Sequence, residues 1–296
     1  MNLETISLTS SVKPRLFIDA QHGLANRLRA IASAYSIAKQ ADYELVIVWR
    51  PDHHCGCHMS DLFEYPGIVI SDGFADLYRG HAHRFFNYME VEEGARFQAP
   101  IFIQPEFESG DIYVRSAYTL NSPLRRFDDE QRFLKGLVPS RSILELIGQV
   151  DHPSDVSVHI RMATGPQFDH LPHESPENWP EGRHEELIKW RADSHSSRFF
   201  KRIDALIEEN NADTIFLAAD LEETYKLFEN RYGKRTRYLP RDLFDRSDRQ
   251  LQYALADALL LTKTKRFLGS TGSSFSDIVA RLIDGKCPVE QSGVDF

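Results

Sequence analysis

The strand-like run Val156-Ser157-Val158-His159-Ile160-Arg161 ends on an arginine, and a Gly/Pro-containing loop carrying Asp169 follows it. In an α/β protein, ligands sit just beyond the carboxyl ends of the strands. An arginine planted there is a rigid planar fork of donors, well shaped for a diphosphate. Alternation puts His159 and Arg161 on one face of the strand and Ile160 on the other. Taken alone, the pair reads either as a satisfied core histidine with a structural ion pair or as ligand contacts.

Three more clusters fall at strand ends. Asp19-Ala20-Gln21-His22-Gly23-Leu24-Ala25-Asn26-Arg27 joins a strand to a helix. A glycine and a helix N-terminus there turn backbone amides toward an anion. Asn26 either caps that helix or donates its amide to a ligand. With one glycine only, this is not the G-x-G-x-x-G dinucleotide fingerprint, which counts against a dehydrogenase. Leu217-Ala218-Ala219-Asp220 ends on a carboxylate that either accepts paired N–H donors from a base such as guanine or caps the next helix. Gly269-Ser270-Thr271-Gly272-Ser273-Ser274-Phe275-Ser276 carries five Ser/Thr in eight residues, more than a cap requires. It offers amides, hydroxyls and the positive end of a helix dipole to a phosphate. No Gly-Lys-Ser/Thr completes a Walker P-loop.

The elements that must position these clusters alternate. Strands are expected at Arg15–Asp19, Glu44–Trp49, Ile112–Ser116, Val156–Arg161, Thr214–Ala218, Arg237–Leu239 and Arg266–Gly269. Helices are expected at Asn26–Gln40, Ser140–Val150, Ser196–Asn210, Leu221–Tyr232, Asp248–Leu261 and Ser274–Asp284. Apolar residues at helical spacing mark the helices, Leu28, Ile31, Ala32, Tyr35 and Ala38 among them. Strand, helix, strand is a βαβ unit, which implies parallel sheets. Residues 50–110 hold a His/Cys-rich loop and short apolar runs such as Gly67–Ile70. A composition change at Asp151-His152-Pro153 divides residues 1–150 from 151–296. Residues 162–190 read as a long loop, of a length often tied to function.

At 296 residues the chain is long for one core and comfortable for two domains. Its net charge of -9 argues against a broad nucleic-acid surface. No apolar run approaches the ~20 residues that span a bilayer. The start, Met1–Lys13, lacks a signal-peptide core. Three cysteines, Cys55, Cys57 and Cys287, fit a reducing compartment, so a cytoplasmic protein is expected. The cluster His53-His54-Cys55-Gly56-Cys57-His58 is dense in zinc-type ligands. It has no distant partner pair, so a structural or acceptor-loop role is expected and no metal.

Four segments in order, His159-Ile160-Arg161, Leu217-Ala218-Ala219-Asp220, Ala256-Asp257-Ala258-Leu259-Leu260-Leu261 and Ser270-Thr271-Gly272-Ser273-Ser274, resemble the peptide motifs of the GDP-fucose-dependent fucosyltransferases. This superfamily joins the α1,6, α1,2 and protein O-fucosyltransferases. Gly23-Leu24-Ala25-Asn26-Arg27-Leu28 resembles its N-terminal glycine-x-x-asparagine loop. The chain as a whole most resembles the bacterial branch with the nodulation α1,6-fucosyltransferase. The resemblance implies a GT-B architecture: two Rossmann-like domains facing a cleft, with the acceptor side in residues 1–150 and the nucleotide-sugar side in 151–296. It implies an inverting transfer to a glycan, with GDP-fucose as donor substrate and no cofactor or essential metal. Arg161 would hold the β-phosphate and Asp220 would read guanine. His159 and Asp257 would also contact the donor. Thr271, Ser273, Ser274 and Phe275 would line the phosphate and fucose, and Asn26 would reach across.

Inversion calls for a base to take the acceptor hydroxyl proton. Asp169 is the first candidate and Glu174 the second. The segment Met162-Ala163-Thr164-Gly165 departs from the α1,6 relatives, which carry a further Arg and an Asp-Lys there. Two other readings stay open: a transferase using a different sugar, and a non-catalytic module that holds GDP or glycan. The acceptor and the oligomeric state are not legible.

Overall fold

A computed structural model describes residues 13–104 and 110–296; the opening segment through residue 12, read above for a signal peptide, lies outside the described residues. The chain starts β1 (Arg15–Ala20), α1 (Leu24–Ala41), β2 (Glu44–Val48). Leu16 to Ala20 are all buried. That is the continuous burial of a strand covered on both faces rather than the alternation of a half-exposed one.

After the His/Cys-rich loop the short apolar runs form α2 (Met59–Leu62), β3 (Phe63–Glu64), β4 (Ile68–Ile70), α3 (Phe74–His81) and β5 (Arg84–Asn87). Then come β6 (Ile112–Ser116), α4 (Phe127–Gly136), β7 (Val138–Pro139) and α5 (Arg141–Ile147). The first sheet is parallel throughout, in the order β4-β2-β1-β6-β5. β3 and β7 form a small antiparallel pair.

The second half runs β8 (Val156–Ile160), α6 (Arg183–Asp193), α7 (Ser196–Glu208), β9 (Ile215–Ala219), α8 (Glu222–Tyr232), β10 (Thr236–Arg237), α9 (Asp248–Leu261), β11 (Phe267–Gly269), α10 (Ser274–Ile283) and β12 (Val289–Gln291). Its sheet is also parallel, in the order β10-β9-β8-β11-β12. From β8 the chain adds strands to one side, then returns to lay β11 on the other. This reversal opens a crevice at the carboxyl ends of β8 and β11, the place where α/β sheets bind ligands. The first sheet reverses in the same way between β1 and β6.

Helices bind the two sheets together. α1 packs on α10 and α4, and α9 packs on α2 and α5. One apolar cluster runs from Leu16 and Ile31 through Leu146 to Leu255, Leu260 and Val279. A separate cluster of Val158, Phe199, Ile203, Leu217 and Phe228 covers the other face of the second sheet.

Two expectations need correction. Helix α1 begins at Leu24, capped by Gly23 without a side-chain bond, so Asn26 is not its cap. The segment 162–190 is not all loop, because α6 occupies its end. α6 buries only Leu187, so no apolar stripe announces it. Among the described residues no helix is long and apolar enough to cross a membrane.

Candidate active site

A cleft of about 550 Å³ is lined by side chains from both halves, in the segments that follow β1, β2, β6, β8, β9, β10 and β11. Arg161 stands at its centre, one residue past β8. It donates to Asp220 at 2.5 Å and to Glu174. Against the cost of burial, Glu174 and then Asp220 raise the Arg161 pKa above its usual value. Asp220 follows β9, the strand paired with β8, so the sheet itself brings the two together. Its carboxylate also accepts the amides of Met162 (3.0 Å) and Ala163 (2.8 Å). Against burial, Arg161 and those amides hold Asp220 below the ordinary carboxylate range. Both oxygens are therefore engaged, and the guanine edge expected at Asp220 would have to displace one of these donors.

The Ser/Thr turn before α10 divides its labour. Ser270 accepts the Arg161 amide at 2.9 Å and donates to the His159 carbonyl at 3.0 Å. Ser276 accepts the Ser270 amide at 3.0 Å and meets His159 Nδ1 at 2.8 Å. Ser273 caps α10 by accepting the Ser276 amide. These hydroxyls weld the end of β8 to the turn. The amides of Ser274 and Phe275 take no internal acceptor among the described residues. With the helix dipole behind them they are available to an anion. Ser273, Ser274 and Phe275 line the cleft, whereas Thr271 does not. His159 also lines it but is only 6% exposed, with its ring 4.6 Å from Phe275. Burial drops its pKa to about 3, so it is neutral at physiological pH.

The N-terminal wall hangs on a buried arginine. Arg27 donates to the His22 carbonyl, the Arg50 carbonyl and Asp52, and its guanidinium sits 4.9 Å over the Trp49 ring. It thereby staples the β1–α1 turn to the loop after β2. His22 and His54, one from each loop, come together at 4.7 Å on the cleft wall. Burial lowers His22 to about 4; burial and then His22 lower His54 further. Asn26 lines the same wall.

The His/Cys cluster is a docking loop in this fold. Gly56 donates its amide to the Arg246 carbonyl at 3.0 Å, and a Cβ on Gly56 would sit 2.7 Å from that oxygen. Only a glycine lets the two halves approach so closely. Cys55 and Cys57 are buried with sulfurs 3.8 Å apart. Among the described residues no group of three or more His, Cys, Asp or Glu is placed to hold a metal ion.

α9 presents Gln250, Ala254 and Asp257 to the cleft, at the i, i+4, i+7 spacing of one helical face. Asp257 is 3% exposed and meets a single partner, Arg241, at 2.7 Å. Burial raises its pKa to about 6 in spite of that arginine. Gln250 Oε1 is buried without a hydrogen-bond donor among the described residues. An acceptor of this kind is costly unless something else satisfies it.

Asp169 does not join the site. Its Oδ1 lies 3.2 Å from His184 Nε2, and it is not on the cleft wall. Glu174, the second candidate, is on the wall and 3% exposed. It is bound to Arg161, accepts the Thr164 hydroxyl at 3.1 Å, and lies 3.7 Å from Arg246. Sequence reasoning missed His22, His54, His173, Arg191, Arg246, Gln250, Trp179 and Trp190, all on the cleft wall. His22 and His54 lie inside clusters quoted above but were not singled out; His22, His54, His173, Trp179, Arg246 and Gln250 lie in or beside segments joining a strand end to the next helix, whereas Trp190 and Arg191 sit in the last turn of α6, where no local motif marks them.

No family model and no curated protein matches this sequence. Solved structures do. NodZ alpha-1,6-fucosyltransferase soaked with GDP-fucose aligns at a TM-score of 0.57 and 16% identity, over 91% of this chain and 93% of that one. POFUT1 in complex with GDP-fucose aligns at 0.54 and 15% identity, over 97% and 99%. Fucosyltransferase NodZ from Bradyrhizobium aligns at 0.55 and 15% identity, over 91% and 93%. The two parallel five-stranded sheets facing one cleft are thus the α/β GT-B fold of these fucosyltransferases, as the resemblance in the motifs implied.

Proposed function

We propose that this protein is a glycosyltransferase that moves fucose from GDP-fucose to a hydroxyl of a glycan or glycoconjugate, with inversion and without an essential metal. The observation that carries the reading is Arg161, held at the switch point of the second sheet beside the open first turn of α10 and facing a cleft. The fold of fucosyltransferases crystallised with GDP-fucose supports the choice of donor. In this reading residues 151–296 hold the donor and 1–150 shape the acceptor side.

The acceptor oxygen attacks C1 of fucose from the face opposite the phosphate. The C1–O bond to the β-phosphate breaks and GDP leaves with the electron pair. Arg161 and the α10 amides stabilise the charge that builds on GDP; a preorganised donor of this kind lowers the barrier by ~3–4 kcal/mol. Ser273, Ser274 and Phe275 border the phosphate and sugar, with Thr271 behind them and Asn26 across the cleft. His159, neutral, supports the turn from below. We assign guanine to the α9 face: Asp257 has one partner where Asp220 has three, and guanine supplies the N–H donors that a carboxylate and Gln250 Oε1 accept. The acceptor proton passes to Glu174, which lines the cleft where Asp169 does not.

Incubation with GDP-fucose and a glycan library, with mass analysis of acceptors and assay of released GDP, tests the reading. The expected result is a fucosylated product with one GDP released per transfer. Tight GDP-fucose binding without turnover would make the protein a binding module instead. Turnover with another GDP-sugar and none with GDP-fucose would change the donor.

A further inference from the structure

We propose that Arg191 of α6 is a second guanidinium of the diphosphate site, gripping the donor together with Arg161. The inference rests on the reading of the cleft as a donor site.

Arg191 lines the cleft from a segment that carries none of the sequence motifs. Its Nε donates to the Thr164 hydroxyl at 3.3 Å and its Nη1 to the Thr271 carbonyl at 3.5 Å. Thr164 follows β8 and Thr271 follows β11, so the guanidinium spans the crevice where the sheet order reverses. Both contacts are long and both acceptors are neutral. No ion pair forms to Arg191 among the described residues, although Arg161 nearby has two. Arg161, Arg191 and Arg246 share this end of the cleft with two carboxylates, Glu174 and Asp220, and Arg161 engages both of those directly.

The position is built rather than incidental. The neighbouring Trp190 packs on Gly272 in the phosphate turn. Ser194, just past α6, pairs with Ser292 at 3.1 Å. Asp193 abuts Gly293. α6 is thereby fixed on the loops after β11 and β12, which holds the Arg191 backbone at the edge of the cleft. A largely desolvated guanidinium without a counter-charge is unfavourable. Burial, and then repulsion from Arg161, accordingly hold Arg191 down to about 10. A ligand bearing two or more negative charges beside Arg161 removes both penalties, and a nucleoside diphosphate has that charge and length. Met162, directly after Arg161, has no charge to offer in its place.

The test is calorimetric titration of wild type, Arg191→Met and Arg191→Lys with GDP, UDP, guanosine and inorganic pyrophosphate, with thermal unfolding of each protein. Loss of a charge-assisted contact should weaken GDP, UDP and pyrophosphate alike, by about tenfold to a hundredfold in Arg191→Met. Arg191→Lys should recover part of the loss. Guanosine affinity should not change, and the unfolding temperature should hold or rise because a repulsive charge is gone. Unaltered pyrophosphate and GDP binding in Arg191→Met overturns the inference. So does an equal loss of guanosine binding, which would make Arg191 a merely structural support. Arg191-dependent pyrophosphate binding with no preference for GDP over UDP would keep the inference and remove the guanine reading. Wild type that binds none of the phosphate ligands overturns both.

Discussion

The indole of Trp190 closes over the backbone of Gly272: a methyl group on Gly272 would meet the ring at 2.2 Å. Gly272 also has φ +58, a conformation that L side chains rarely adopt. α6 and the turn before α10 are therefore one unit, and glycine is the only residue that lets them touch. Gly272→Ala adds left-handed strain of about 1–2 kcal/mol to overpacking of about 1–3 kcal/mol. Denaturant unfolding should show a loss of roughly 2–5 kcal/mol, with donor affinity falling alongside it. An unchanged midpoint would mean that the turn relaxes freely.

Glu174 and Asp169 are separated by their surroundings. Glu174→Gln should fold and bind GDP at least as well as wild type, since its charge no longer competes for Arg161. Its kcat should drop by roughly a hundredfold or more, the usual contribution of a general base. Asp169→Asn, which touches only the His184 contact, should stay within a few-fold of wild type. Steady-state kinetics on both variants decides the assignment, and the reverse pattern would return the base to Asp169.

Much of the fold was legible because its sequence signals are local. The helix expected at Asp248–Leu261 is the one observed, and β8, β9 and β11 fall within a residue of expectation. Parallel sheets followed from the strand–helix alternation. Cleft residues were legible where they fall in a local motif, at a strand end for Arg161 and Ser273–Phe275 and within α9 for Asp257. Gly56 against Arg246, His22 against His54 and Trp190 against Gly272 depend on which distant loops meet, and nothing local encodes that. Asp169 failed to reach the cleft for the same reason: an offset along a long loop does not fix which way a side chain faces. Asp220 shows the converse, since its place at a strand end was clear but its ion pair with Arg161 and the amides that fill its oxygens were not.

Acid should destabilise the protein through buried His159 and the half-buried His22 and His173. Burial lowers His159 to about 3 and His22 and His173 to about 4. A depressed histidine pKa gives stability that is present above the unfolded value of about 6.5 and is lost as pH falls toward the folded value. For fully buried His159 the slope approaches about 1.4 kcal/mol per pH unit below pH 6. Unfolding curves between pH 4 and 7 should show it, and His159→Phe should flatten it. A pH-independent midpoint over that window would contradict the buried, neutral state.

Base selection should fade on the acid side. Asp257 is held up at about 6 by burial, and only its ionised form offers both oxygens as acceptors to the paired guanine N–H donors. The ratio of GDP to UDP affinity, in which phosphate protonation cancels, should be constant above pH 7 and fall toward about tenfold per unit below 6. Asp257→Asn should remove the pH dependence and most of the preference for GDP. A ratio that does not move with pH would take Asp257 out of the base site.

The most direct measurement is calorimetric binding of GDP, UDP and ADP to wild type and to Arg161→Lys. Lysine keeps the charge but lacks the bidentate fork. The account predicts that wild type prefers GDP, and that Arg161→Lys, folded to the same melting profile, binds all three nucleotides more weakly by about tenfold or more. Wild type that binds no nucleoside diphosphate, or a lysine variant that binds GDP as tightly as wild type, would contradict it.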